Sequence, residues 1–193
     1  LAAMLFAMAC GGSSSSPTGP TASTSFTGLE MHLSPAVLPP GETSFASVWA
    51  SSNGIYGPIP IAGWTSSNVT VATITSAGSI VAIAPGTTLI TGRFDGGSHA
   101  AELAVFGERD IEGLTVTCGS IPAGIQGTFC TAAARTRFGN APVKATWTSS
   151  RPEVASFLTN GSTPSVTTLV QRASVGQTVI TATYGLFSAT ATV

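Results

Sequence analysis

The strongest constraint on this chain is that it repeats itself. Trp64-Thr-Ser-Ser-Asn-Val-Thr-Val-Ala-Thr-Ile recurs 83 positions later as Trp147-Thr-Ser-Ser-Arg-Pro-Glu-Val-Ala-Ser-Phe. Upstream, Gly28-Leu29, Thr43 and Gly54 align with Gly113-Leu114, Thr128 and Gly139 at an offset of 85. Downstream, Gly86-Thr-Thr-Leu-Ile-Thr matches Gly176-Gln-Thr-Val-Ile-Thr at an offset of 90. Self-similarity of this kind means that one structural plan is used twice, and length changes between the copies belong in loops. The sequence therefore predicts one unit over 28–106, a linker over 107–112 and a second unit over 113–193.

Each copy consists of short runs of β-branched and small apolar residues, such as Thr178-Val-Ile-Thr-Ala-Thr-Tyr, bounded by Gly, Pro, Asn and Ser. These are strand and turn signals. No segment carries a helical period long enough for a crossover connection, which argues against a parallel α/β sheet. The expected class is all-β, with two tandem sandwiches.

Leu1 to Ala9 is an unbroken apolar run ending at Cys10, and Gly11-Gly-Ser-Ser-Ser-Ser-Pro-Thr-Gly-Pro follows without periodicity. The run is too short for a spanning helix, which needs about 20 residues. It reads as the remnant of a signal peptide (1–9) followed by a flexible tether (10–27). A small residue before Cys, then a Gly/Ser linker, resembles the lipobox of bacterial lipoproteins, which implies that Cys10 is acylated and becomes the mature N-terminus. Ala7-Met8-Ala9 also fits ordinary signal cleavage, and both cuts fall before Cys10. The expected location is the bacterial cell envelope, lipid-anchored at the outer membrane or cell surface, with secretion as the alternative.

Charged residues make up 8% of the chain and the net charge is −1, so the basic excess that a nucleic-acid partner requires is missing. The charges are unevenly placed. Residues 28–106 hold Arg93 against Glu30, Glu42, Asp95 and Glu102, whereas 113–193 hold Arg135, Arg137, Lys144, Arg151 and Arg172 against Glu153. Arg135, Arg137, Lys144 and Arg151 flank the Phe138-Gly139-Asn140 turn and the approach to Trp147. If they converge they form an anion or acidic-glycan contact; otherwise they are scattered solubilising charge.

The order of the two copies, with W-T-S-S, V-A-x-[IF], a Gly, V-G or P-G, then I-T, resembles the bacterial immunoglobulin-like group 2 domain of intimin- and invasin-type adhesins. Trp64, Ser66, Ser67, Val71, Ala72, Gly78, Ile80, Gly86 and Ile90 carry the match in the first copy. The second copy departs from the pattern after Gly161, so strand pairing over 158–175 is left open. The resemblance implies a Greek-key sandwich used as a spacer or adhesive module, with no cofactor and no fixed ligand.

Under the offset of 85, Cys118 falls on Leu33 and Cys130 on Phe45, so a disulfide between the first two strands of the domain is expected to replace an apolar contact. Two buried free thiols are the alternative. The histidines are His32 and His99, and neither lies near a nucleophile-elbow, P-loop or H-E-x-x-H signature, so neither catalysis nor a metal site is expected. Trp64 and Trp147 share a position and read as packing residues. Trp49 aligns with Ala134 and, with Tyr56, reads either as core filling or as an exposed aromatic patch. Two functions follow: a surface-anchored non-catalytic structural or adhesive module, whose partners are the membrane and possible polysaccharide or surface protein, or a carbohydrate-binding accessory domain of a secreted polysaccharide-active protein.

Overall fold

The computed structural model describes residues 26–119, 127–158 and 164–193. Cys10, with the leader and nearly all of the tether, lies outside them. The first unit contains β1 (Thr27–Ser34), β2 (Val37–Leu38), β3 (Thr43–Ser52), β4 (Ile55–Pro58), β5 (Gly63–Ser66), β6 (Ala72–Ile74), β7 (Ser79–Ala82), β8 (Gly86–Phe94) and β9 (Gly97–Val105). The second contains β10 (Ile111–Cys118), β11 (Gly127–Thr136), β12 (Gly139–Pro142), β13 (Thr146–Ser149), β14 (Ala155–Phe157), β15 (Thr167–Arg172), β16 (Val179–Tyr184) and β17 (Phe187–Thr192).

Each unit is an immunoglobulin-like sandwich of two sheets. In the first, the order β1-β3-β7-β6, with β4 also on β3, faces β2-β9-β8-β5. In the second, β10-β11-β15-β14, with β12 on β11, faces β13-β16-β17. Pairing is antiparallel except where β2 runs parallel to β9, because the chain switches sheets after β1. The segment left open in the second copy is settled in part: β14 pairs β15, so Phe157 faces Val170 across the ladder.

Burial alternates along the central strands with the period of two that a pleated strand imposes. Ser44, Ala46, Val48 and Ala50 point inward from β3, and Thr128, Cys130, Ala132, Ala134 and Thr136 from β11. Ile80, Ile90, Leu103 and Val105 fill the first core, and Val143, Trp147, Val170 and Ile180 the second. Fully burying one such aliphatic side chain contributes about 1.5–3 kcal/mol.

This alternation corrects the sequence alignment by one residue. Phe45 is 53% exposed and cannot be the equivalent of buried Cys130. Leu33 faces Ala46, as Cys118 faces Cys130, so the bridge stands in for the Leu33–Ala46 contact. A slip of one residue moves a whole strand to the other face, and the same shift pairs Trp49 with Ala133 instead of Ala134. The Cys118 and Cys130 sulfurs are 2.04 Å apart, joining adjacent strands.

The repeated W-T-S-S motif has a structural cause. Thr88 is 3% exposed, and its hydroxyl meets Ser66 Oγ at 2.9 Å, Ser67 Oγ at 3.1 Å and the backbone N–H of Asn68 at 2.9 Å. One donor and two acceptors are all a hydroxyl offers, so the group is saturated. Ser67 Oγ in turn accepts from the Leu89 N–H. The second unit reproduces the cluster with Thr178, Ser149, Ser150, the Arg151 N–H and the Val179 N–H. Each cluster ties the edge strand of one sheet, β5 or β13, to its neighbour β8 or β16 just beyond the last ladder pair.

The tryptophans of the motif are packed differently. Trp147 is 2% exposed and donates from Nε1 to the Ser165 carbonyl, 3.1 Å away. Trp64 is half-buried and lies over Gly92, where an added Cβ would sit 2.7 Å from the ring. The second unit has Ala182 opposite its tryptophan, where the first has Gly92 opposite Trp64.

The predicted linker is an ordered joint. Glu108–Asp110 form a single 3-10 turn, and β10 begins directly after it at Ile111. One Asp110 carboxylate oxygen accepts the Gly107 N–H at 2.8 Å and the other lies 2.8 Å from Arg137 Nε. Phe106, just beyond the last strand of the first unit, is 1% exposed within the core cluster of the second, and Val37 packs against that same cluster. Lys144 reaches back to Glu42 at 2.7 Å.

Candidate functional site

Strand register brings three aromatic rings together on the outer face of the first unit. On β1, Glu30 and His32 point outward; on β3, Ser47 and Trp49 do so, with Glu30 opposite Trp49 and His32 opposite Ser47. The Asn53-Gly54 turn has φ of 52° and 78°, the left-handed pair a two-residue hairpin needs. That turn sets Tyr56 opposite Ser51, one diagonal step from Trp49. The ring centroids of His32 and Trp49 are 6.1 Å apart and those of Trp49 and Tyr56 5.7 Å.

Polar contacts fix this row. Tyr56 OH donates to Glu30 Oε2 at 2.7 Å, and His32 Nε2 lies 3.5 Å from the same oxygen. Trp49 Nε1 donates to Ser47 Oγ at 3.1 Å. The Tyr56 phenol pKa is raised above 10.0, chiefly because its proton is donated to the Glu30 carboxylate and secondarily by desolvation and the negative charge beside it. Tyr56 is 50% exposed and Trp49 half-buried, so Trp49 is not core filling: it stands on the outer face with Tyr56, as the patch reading requires.

Glu30 and His32 were not legible as members of this site. A strand register links them to Trp49, and no local motif announces a register. His99 lies within β9, opposite Gly92. Among the described residues no group of three His, Cys, Asp or Glu side chains is placed to hold a metal ion.

Three of the four cations singled out in the second unit are paired with carboxylates. Arg137 pairs with Asp110 and stacks over Phe138 at 4.6 Å, and Lys144 pairs with Glu42 of the first unit. Arg151 pairs with Glu153 at 3.2 Å and donates to the Gln177 carbonyl. Arg135 lies across from Gly113 on β11. Arg151 sits by the start of β16, where its backbone N–H donates to Thr178 Oγ1, whereas Arg137 sits beside the 3-10 turn at the joint. Spacing along the sequence put these residues near one turn; in the structure Arg137 and Lys144 pair with carboxylates at the joint and Arg151 with Glu153 away from it, so three of the four lie beside a carboxylate.

A groove of about 460 Å³ lies at the joint, lined by Glu108, Arg109, Ile111, Tyr184, Gly185, Leu186 and Phe187. The Tyr184 phenol pKa is raised, first by burial and then by the negative charges of Glu42 and Glu108.

No family model and no curated protein matches the chain. Among solved structures it is similar to the S-layer protein rSbsC(31-844), at 18% identity and TM-score 0.36, over 86% of this chain and 27% of that one. It is similar to the Yersinia pseudotuberculosis adhesin InvE at 17% identity and TM-score 0.35, over 91% of this chain and 61% of that one. A further match is Bacteroides uniformis beta-glucuronidase 3, at 16% identity and TM-score 0.36, over 86% of this chain and 25% of that one. The chain therefore spans about a quarter of the length of the S-layer protein. At identities and TM-scores this low the likenesses carry no functional argument, and the immunoglobulin-like description rests on the strand order itself.

Proposed function

We propose that this chain is a non-catalytic structural or adhesive module of a bacterial cell envelope, anchored by lipid at Cys10 and carrying two immunoglobulin-like sandwiches outward on its tether. The observation that supports this reading best is the joint. Phe106 leaves the first unit and is buried in the second, which contributes about 1.5–3 kcal/mol toward holding them together. Asp110, Arg137, Glu42 and Lys144 add oriented charge pairs around it. A connection meant only to link two independent domains needs no such contacts. A module that must hold a face in a set direction does.

The anchor is tested by expressing the complete reading frame in a bacterial host and analysing the mature N-terminus by mass spectrometry. The reading expects an acylated Cys10 and release of both units when intact cells are treated with protease. An unmodified Cys10 on protein recovered from the medium would overturn the anchored form. One acyl chain gives only marginal membrane binding and two give stable anchoring, so the number of chains is part of the result.

A further inference from the structure

We infer that the outer face of the β1-β3-β4 sheet in the first unit is a glycan-binding platform, on which neutral sugar rings stack along the row His32–Trp49–Tyr56 while Glu30 accepts their hydroxyls. The inference stands whether or not Cys10 is acylated.

The first argument is a comparison inside the molecule. Strand register assigns each member of the row a counterpart on the same face of the second unit: Thr115 for Glu30, Thr117 for His32, Ala133 for Trp49 and Asn140 for Tyr56. That sheet keeps the same pairing with Thr, Ala and Asn at these positions, so the fold does not require the rings. Their bulk faces outward, away from both the core and the joint, and half of Tyr56 is in water.

The second argument is preorganisation. The indole is held from below by its hydrogen bond to Ser47 and flanked by His32 and Tyr56. Glu30 bridges the two outer rings, at 2.7 Å from Tyr56 OH and 3.5 Å from His32 Nε2. Side chains already fixed in place lose little freedom when a ligand arrives. A carboxylate offers about four lone-pair positions, which leaves acceptors for the vicinal hydroxyls of a pyranose.

The third argument concerns charge. Glu30 is the one formal charge in the row, and the first unit carries one arginine against four carboxylates. An acidic polysaccharide would be repelled. Neutral pyranoses present an apolar C–H face to stack and a hydroxyl edge to bond, which matches rings beside an acceptor.

The test uses the whole chain in affinity electrophoresis and calorimetry against soluble neutral polysaccharides (β-glucan, xyloglucan, mannan, galactan), with polygalacturonate as the acidic comparison. Binding to at least one neutral polymer is expected, insensitive to salt, with none to polygalacturonate. Trp49→Ala and Tyr56→Asn install the residues that the second unit carries; each should weaken binding about tenfold or more while the chain stays folded, with melting lowered only by the loss of a cross-strand pair, about 0.2–1 kcal/mol. In a two-dimensional nitrogen–proton spectrum the indole N–H signal of Trp49 should move on titration while those of Trp64 and Trp147 stay. Absence of binding to every neutral polymer, binding untouched by either substitution, or dimerisation through this face would each overturn the inference. So would preference for a cationic peptide that is lost at high salt.

Discussion

Replacing Thr88 by Val keeps the shape of a buried side chain and deletes the hydroxyl at the centre of the W-T-S-S cluster. Ser67 retains a partner in the Leu89 N–H, and Ser66 can turn toward solvent. The Asn68 N–H, held at 2.9 Å by the Thr88 oxygen, is left without its acceptor. An unsatisfied buried polar group costs about 1–3 kcal/mol, and the added methyl enters a polar pocket where it regains little. A loss of about 2 kcal/mol is expected. For a unit of this size, 1 kcal/mol shifts Tm by about 4–8 °C, so the first unit should melt about 8–16 °C lower. Thr88→Ser, which keeps the hydroxyl, should recover most of this. Calorimetry gives the magnitude, and hydrogen exchange should show faster exchange in β5 and β8 with β13 and β16 unchanged. A loss under ~0.5 kcal/mol, or Thr88→Ser as damaging as Thr88→Val, would refute the argument. Thr178→Val is the matched experiment and should reverse the pattern of the two units.

Gly92→Ala should destabilise the first unit and shift the Trp64 emission, because the new carbon would lie 2.7 Å from the indole ring; a variant with parental melting and emission would contradict this packing. Replacing Cys118 and Cys130 with Ser should cost the second unit about 3 kcal/mol, since closing a loop of 12 residues is worth close to that in the chain-entropy model, and denaturant titration reads it directly. Spectrophotometric titration should find Tyr56 and Tyr184 both ionising above 10.0. A raised phenol pKa favours the protonated form in the folded state, so its stabilisation is present below the ordinary value and lost as pH rises through the raised one. Glu30→Gln should lower the Tyr56 value and leave Tyr184 in place; no change at Tyr56 would exclude the hydrogen bond.

The fold class was legible because Gly, Pro and Asn punctuate runs of Thr, Val and Ile, and the repeat fixed that two units share one plan. The W-T-S-S motif was equally visible, yet its cause was not. Thr88 lies 21 residues from Ser67 and nothing local links them. The one-residue error at Phe45 has the same origin. The match of Gly54 to Gly139 is itself one residue out of register, since Gly139 closes the hairpin opposite Thr136 as Ile55 does opposite Ser52, and burial alternation shows this where residue identity does not. Arg137 and Lys144 looked like a ligand patch because sequence shows charge without its partner. Asp110 and Glu42, which neutralise them, belong to the linker and to the other unit. For Trp49 and Tyr56, sequence suggested adjacency but left open whether they faced the core or the solvent.

The joint tests the account most directly, because a module that orients a surface needs its two units held together. Spin labels placed on exposed Thr73 of the first unit and Thr190 of the second, with Cys10 replaced by Ser, report the distance between them by pulsed electron resonance. The account predicts one narrow distance distribution in the parent chain that broadens in Phe106→Ala, where the buried side chain linking the units is removed. A broad distribution in the parent, or a narrow one unchanged by Phe106→Ala, would contradict it.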